Sequence, residues 1–579
     1  MRRDALAPRR VPSLRERASG VLLHVTSLPG PHGNGDLGSE ARAFADALAR
    51  AGQRWWQMLP VGPVGYGDSP YSAQSSFAGS PLLVDLDALP TAPHARPRGV
   101  GGDPSTVDYA AAATFREAHL RSAFEAFARR PRREQAAFRT FVDEQAHWLD
   151  DFALFTALKR AHGGVEWTKW GRDVRLRSGP ALARARRTFA AEIEFVEFIQ
   201  WKFDEQWRAL RADCNHMGIG LIGDVPIFVA HDSADVWQHR ELFDLDDDGR
   251  PTVIAGVPPD YFSDTGQRWG NPLYRWARIA KTGYAWWIDR FRASLDRFDA
   301  IRLDHFIGFV RYWRVAASEE TAMNGVWMRG PGRKLFDAAQ RALDRGALPF
   351  IAEDLGAVTP EVTALRHALD LPGMSILQFA FGDDPQADHF LPHNHEPSSV
   401  VYTGTHDNDT IRGWFFDRGD GEASSRSRAQ IARERRAALA YLGRTPDDLE
   451  RGLEIHWEMI RVAMASVAHT AIVPMQDVVG LGSEARMNRP GRPSGNWRWR
   501  MRPRAFTAAS QKRLREMAQL YGRAPATSSG AGSAPGDGED PATGDPLPPA
   551  DPADRVAGER PESPRRPSSA PPSRLSARP

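Results

Sequence analysis

FDAIRLDHF, residues 298–306, is the stretch on which the fold turns. Its apolar centre, Ala300 to Leu303, is too short for a helix of its own and is bounded by polar residues, so it reads as a buried parallel strand. The strand delivers a carboxylate, Asp304, at its end. Two other stretches are built the same way: PFIAEDLG, residues 349–356, delivers Glu353, and VVYTGTHDND, residues 400–409, delivers Asp407. Parallel αβ folds carry their active groups at the carboxyl ends of such strands, so three acids are expected to converge on one face. Two acids flanking a bond, with a third stabilising positive charge, suit hydrolysis or transfer of a glycosidic bond.

Working outward, strand-like runs alternate with amphipathic helices. VLLHVTSLPG (21–30) is followed by SEARAFADALARAG (39–52), where Ala41, Phe44, Ala45 and Leu48 recur at helical spacing and Gly52 can end the helix. QRWWQMLPVGPVG (53–65) reads as the next strand. Val196, Ile199, Phe203, Trp207 and Leu210 form a second helical stripe before the strand LIGDVPIFV (221–229), and Tyr284, Trp287, Phe291, Leu295 and Phe298 a third before AIRLDHF. Repeated βαβ units close most economically into a (β/α)8 TIM barrel, a doubly wound open sheet being the alternative. No GxGxxG follows a strand, which counts against a dinucleotide-binding sheet. Asp224 and Asp304 lie 80 residues apart, far more than a plain βα unit needs, so the barrel carries insertions. The stretch from about 90 to 190, rich in Ala, Arg, Phe and Glu, reads as an inserted helical subdomain. Residues 1–20 read as a flexible basic arm, 21–522 as the catalytic barrel, and 523–579, dominated by Pro, Ala and Ser with little to bury, as a disordered tail.

Composition closes off several classes. The net charge is +2 with 26% charged residues among 579, and no sustained basic face runs through the body, so no nucleic-acid partner is expected. The clusters RRPRRE (129–134) and ARARR (183–187) read as solvated helix faces. A single cysteine, Cys214, excludes an intrachain disulfide and fits a reducing, cytoplasmic compartment. No run approaches the ~18 apolar residues of a membrane span, and the N-terminus lacks a signal-type apolar region.

Arg302 and Asp304 stand two apart on one strand and face the same side, where the cation keeps the acid ionised. The competing reading is a structural ion pair. Glu353 adjoins Asp354, and one of two neighbouring acids can be held protonated as a general acid; the competing reading is a helix-capping Asp with Glu exposed. His305, His406 and the acids raise a metal-dependent hydrolase as a rival, but no HxH or HExxH spacing occurs, and neither a metal nor an organic cofactor is expected. FDLDDDGRPTVIA (243–255) opens like a calcium loop, yet Ala255 stands where the bidentate Glu belongs, so it reads as an acidic turn. Among 18 tryptophans, Trp269 in the polar, Gly-rich TGQRWGNP is the one expected to touch ligand.

The ordered segments GYGDSPYSAQSSFAGSPL (65–82), GVPPDYFSDTGQRWGNPLY (256–274), IRLDHFIGF, IAEDLG, GTHDND and PMQDVVGLGSEARMNRPGRPSGNWRWR (474–500) together resemble glycoside hydrolase family 77, the 4-α-glucanotransferases, also called amylomaltases or disproportionating enzymes. The likeness runs from about Gly20 to Met501. It implies a barrel without a C-terminal β-sandwich, with Asp304 as nucleophile, Glu353 as general acid and base, and Asp407 as transition-state stabiliser in a retaining double displacement. It further implies substrate contacts from Arg302, His305, His406, Asp224, Ser69, Tyr71, Asp260, Gln267, Trp269 and Asn488. Maltooligosaccharides and starch- or glycogen-type glucans are the implied donors, with glucose or another glucan as acceptor. The same carboxylates would serve an α-glucan hydrolase, and a non-catalytic glucan-binding protein is the third possibility. Ile307 departs from the Arg found in many relatives.

Overall fold

A computed structural model describes residues 10–89, 100–259, 263–420 and 426–525. Its strands are β1 (Ala18–Leu22), β2 (Trp55–Gln57), β3 (Gly220–Pro226), β4 (Val253–Val257), β5 (Gln267–Pro272), β6 (Ala300–Asp304), β7 (Arg311–Ala316), β8 (Gly325–Arg329), β9 (Phe350–Ala352), β10 (Gly373–Ile376), β11 (Ser399–Tyr402) and β12 (Thr470–Pro474). Eight of them pair in parallel in the order β10-β11-β12-β1-β2-β3-β6-β9. The Ala352 N–H donates to the Pro372 carbonyl at 2.9 Å, which joins the two ends of that series and closes the barrel. The eight-stranded barrel expected from the alternating pattern is thus present.

The helical stripes face this barrel. In helix Ser39–Arg50 the buried residues include Ala41, Phe44, Ala45 and Leu48, and Gly52 (φ 70°) ends it. Helices Ala190–His216 and Ala285–Arg297 bury Phe203, Trp207, Trp287 and Phe291 in the same core. Between β2 and β3 run further helices, Tyr109–Ala128, Ala136–Ala161 and Gly179–Thr188. The stretch read as an acidic turn is one: Asp246 Oδ1 and its carbonyl accept from the amides of Arg250 and Gly249.

The insertions hold something the mainly helical reading omits, an antiparallel sheet in the order β5-β4-β7-β8. Glycine and proline interrupt VIAGV and QRWGNP, and β5 is mostly part-exposed, so neither strand carries the continuous apolar run that marks the barrel strands.

The barrel's edges in sequence also differ from the expected 21 and 522. β1 begins at Ala18, and Arg17 Nε donates to the Tyr521 carbonyl at 2.7 Å. Arg523 is fully buried and gives its guanidinium to the carbonyls of Ala18, Met464, Ser466, Ala468 and His469 at 2.8–2.9 Å. A buried cation satisfied by carbonyls alone leaves no acidic partner in the sequence to announce it.

Gly223 precedes Asp224 on β3, and a Cβ there would lie 2.3 Å from the Phe298 ring. Gly223→Ala is expected to cost about 1–3 kcal/mol through overpacking, read as a lower unfolding temperature. Phe298→Leu in the same chain should recover part of the loss; an unchanged unfolding temperature in the single variant would contradict this packing.

Candidate active site

β3 and β6 lie in register with Asp224 opposite Arg302 and Pro226 opposite Asp304. That register puts one guanidinium between two carboxylates. Arg302 Nη1 donates to Asp224 at 2.8 and 3.0 Å and pairs with Asp304 Oδ1 at 2.9 Å. The Tyr71 hydroxyl adds a third donor, 2.7 Å from Asp224 Oδ2. Arg302 and Asp224 are buried, whereas the Asp304 side chain is 28% exposed at the barrel mouth. Asp224 therefore anchors the guanidinium from within, and Asp304 holds it from the solvent side.

Glu353 follows β9 and is buried. Its Oε2 accepts from the His305 amide at 2.6 Å and its Oε1 from the Leu355 amide at 3.1 Å. His305 reaches that position because its backbone is left-handed (φ 51°), a strained conformation for a residue with a side chain. Burial pushes Glu353 up to about 8; Arg302 opposes the rise and the Asp304 charge adds to it. Such a carboxyl carries a proton at neutral pH. Of the two neighbouring acids only Glu353 faces this cluster: Asp354 is bound by Arg366 Nε at 3.0 Å and accepts from the Met374 amide at 2.9 Å.

Asp407 sits on the loop after β11 and is held from the loop after β12. Asn488 Nδ2 donates to Asp407 Oδ1 at 2.6 Å, the Asn488 amide donates to the His406 carbonyl at 3.0 Å, and His406 Nε2 lies 3.4 Å from Asp407 Oδ2. His406 is buried and stacks on Tyr71, with centroids 5.0 Å apart. Burial lowers the pKa of His406, and lowers His305 to about 4, so both imidazoles are neutral near pH 7. Among the described residues no group of His, Cys, Asp or Glu is arranged to hold a metal ion.

The remaining expected contacts divide. Ser69 accepts from the Tyr71 amide at 3.2 Å, which orients the tyrosine. Trp269 meets His305 edge to face with centroids 4.9 Å apart, and its Nε1 donates to Gln267 Oε1 at 3.2 Å, so the β5 hairpin reaches the end of β6 that carries Asp304. Asp260 lies outside the described residues.

Residues 23–507 match the family profile described as 4-alpha-glucanotransferase, glycoside hydrolase family 77. The chain belongs to this family. It is 50% identical over 510 residues to the 4-alpha-glucanotransferase of Thermus thermophilus, covering 88% of this chain and 99% of that one. It is 44% identical over 519 residues to that of Synechocystis sp., with the same coverage. The amylomaltase of Streptococcus agalactiae, solved in complex with acarbose, superimposes with a TM-score of 0.82 at 37% identity, covering 88% of this chain and all of that one.

Two residues of this glucanotransferase site escape a strand-end reading. Trp497, buried, lies 5.7 Å from Tyr71 and 5.8 Å from His406 between ring centroids; only its place in the Gly-flanked GNWRWR hinted at it. Arg486 donates to the Asp407 carbonyl at 2.6 Å and the Asn488 carbonyl at 2.7 Å, bolting the two loops together. Because it touches only the backbone there, Arg486→Met should lower kcat about 10- to 100-fold with little change in KM, the scale of loss that misplacing a catalytic group by about 1 Å produces. The same change should add little in an Asp407→Asn background; additive losses would mean that Arg486 does not act through Asp407.

The Glu353 shift also has a stability sign. The folded protein holds a proton that the unfolded chain releases above about pH 4.3, so this group's contribution is full below that value and is lost as pH rises through about 8. Unfolding temperatures of the wild type and Glu353→Gln, measured from pH 5 to 8.5, should show a shallower alkaline decline in the variant.

Proposed function

We propose that this enzyme, a 4-α-glucanotransferase, works by retaining double displacement with Asp304 as nucleophile. The observation that carries the reading is the split among the carboxyls. Asp304 is ion-paired to Arg302 at the mouth of the barrel, while Glu353 is buried, which pushes its pKa up to about 8 and favours its neutral form. A carboxylate beside a cation is ready to attack carbon, and a neutral carboxyl is ready to give a proton to a leaving oxygen.

In the first step an Asp304 oxygen bonds to the anomeric carbon as the C1–O4 bond of an α-1,4 linkage breaks, and Glu353 passes its proton to that oxygen. Asp407, steadied by Asn488, holds the sugar hydroxyls as positive charge builds on the ring. In the second step Glu353, now ionised, takes the proton of an incoming glucan or glucose 4-hydroxyl. That oxygen displaces Asp304, and two inversions restore the α configuration. Trp269 and Gln267, on the inserted hairpin, favour a sugar acceptor over water by covering the intermediate. Maltooligosaccharides and starch- or glycogen-type glucans are the substrates. The lone, buried Cys214 suits the reducing cytoplasm, and no helix among the described residues is long and apolar enough to cross a membrane.

Maltotriose alone separates transfer from hydrolysis: glucose with maltotetraose and longer products is expected, whereas only maltose and glucose would identify a hydrolase and no turnover a binding protein. Asp304→Asn should lower kcat/KM by roughly 10⁴-fold or more while folding normally, the order lost when a nucleophile is removed. The alkaline limb of kcat/KM should fall near pH 8, as Glu353 loses its proton in the free enzyme.

A further inference from the structure

A cleft of about 700 Å³ opens between the segment after β5 and the far strands of the inserted sheet. Four cations line it, Arg275, Arg278, Lys281 and Arg329, together with the rings of Trp276 and Tyr312, and no acidic residue does. In a chain whose net charge is only +2 that is a local concentration of one sign. Arg275 is paired with Asp244 at 3.1 Å. The other three make no ion pair and no side-chain hydrogen bond among the described residues.

Two further observations point to a ligand. Tyr312 is 6% exposed and borders the cleft, and its hydroxyl, which has no hydrogen-bond partner among the described residues, is not enclosed by the protein and so is open to the cleft. The Trp276 ring is half-buried, with its indole N–H enclosed by the protein, and is held in place against Trp287, stacked at 6.0 Å, and against Tyr274 at 4.8 Å. A fixed aromatic wall, an open tyrosine hydroxyl and guanidinium and ammonium groups lining one cleft without a direct ion pair are the components of a site for a phosphate ester borne on a ring. Glu241 feels the charge of Arg278 and Glu361 that of Arg329, but neither lines the cleft, and a neutral glucan has no charge to engage its cations, so the cleft is not explained by the transfer reaction.

We propose that this cleft binds a small phosphorylated ligand, a sugar phosphate or a nucleotide, with Arg278, Lys281 and Arg329 on the phosphate and Trp276 beside the ring. Such a ligand would span both sides of the inserted sheet, because Arg278 and Lys281 follow β5 while Arg329 ends β8. Its wall is also continuous with the catalytic face: Tyr312 packs on Phe228 at 6.3 Å, Phe228 on Trp269 at 6.3 Å, and Trp269 on His305 at 4.9 Å.

The test is titration calorimetry on the full chain at constant ionic strength with glucose 1-phosphate, glucose 6-phosphate, AMP and ATP, with glucose and inorganic phosphate as controls. At least one ester is expected to bind at ten-fold or greater affinity over inorganic phosphate, and which one binds separates sugar phosphate from nucleotide. Arg278→Glu with Lys281→Glu should weaken that binding at least ten-fold while leaving maltotriose disproportionation within two-fold of wild type, which shows that the variant is folded and that the ligand is not in the sugar site. No binding by any ester, equal binding of inorganic phosphate and the esters, or ester binding unaffected by the double variant would each overturn the proposal.

Discussion

Arg302 carries a full charge in the interior of the barrel mouth, and two carboxylates make that tolerable. An unpaired guanidinium at this depth would be severely destabilised; one carboxylate balances its charge, and the second adds a further hydrogen-bonded partner. Asp224 is the inner partner and Asp304 the outer one, and both use the same nitrogen. The arrangement fixes the height of Asp304 on its strand, because the register of β3 against β6 sets where Arg302 can meet Asp224. It also draws in Tyr71, whose hydroxyl completes Asp224 and whose ring then stacks on His406 beside Asp407. Two strands and two loops are thereby indexed to one buried cation.

That cation also divides labour among the acids. Asp224 and Asp304 touch it, and Glu353 does not; Glu353 has instead two backbone amides and burial to set its protonation. One of those amides belongs to His305, the residue next to Asp304. The strained turn at His305 thus couples the end of β6 to the carboxyl at the end of β9, so the proposed nucleophile and the proposed proton carrier share a few atoms of main chain.

Much of this was legible in the sequence where a strand announced itself by a continuous apolar run. Ala300–Asp304, Phe350–Ala352 and Ser399–Tyr402 are such runs, each followed by its acid, and the helical stripes between them fixed the parallel order. Residues two apart, such as Arg302 and Asp304, could be placed on one face by geometry alone. What could not be read were relations across the chain. The Asp224–Arg302 pair depends on register, and the Arg486 bolt depends on two loops folding against each other. The ring cluster of Tyr71, His406 and Trp497 draws on three distant segments. The β4–β5 and β7–β8 sheet was hidden for a different reason: strands exposed on one side and broken by glycine carry too little periodic signal to separate from loop. Arg523 was hidden because carbonyl partners leave no trace in composition.

The inserted sheet has a consequence for how such an enzyme can change over time. The three acids lie at or just beyond the ends of the closed ring of parallel strands, but Trp269 and Gln267 ride on a separate antiparallel sheet with exposed edges. Away from the Trp269–His305 contact, mutations can accumulate in that sheet without touching the three acids. With the acceptor role proposed for Trp269 and Gln267, selection can retune acceptor choice while the proposed bond-making acids stay unchanged, and lineages can diverge in what they make from the same glucan without reinventing how they cut it.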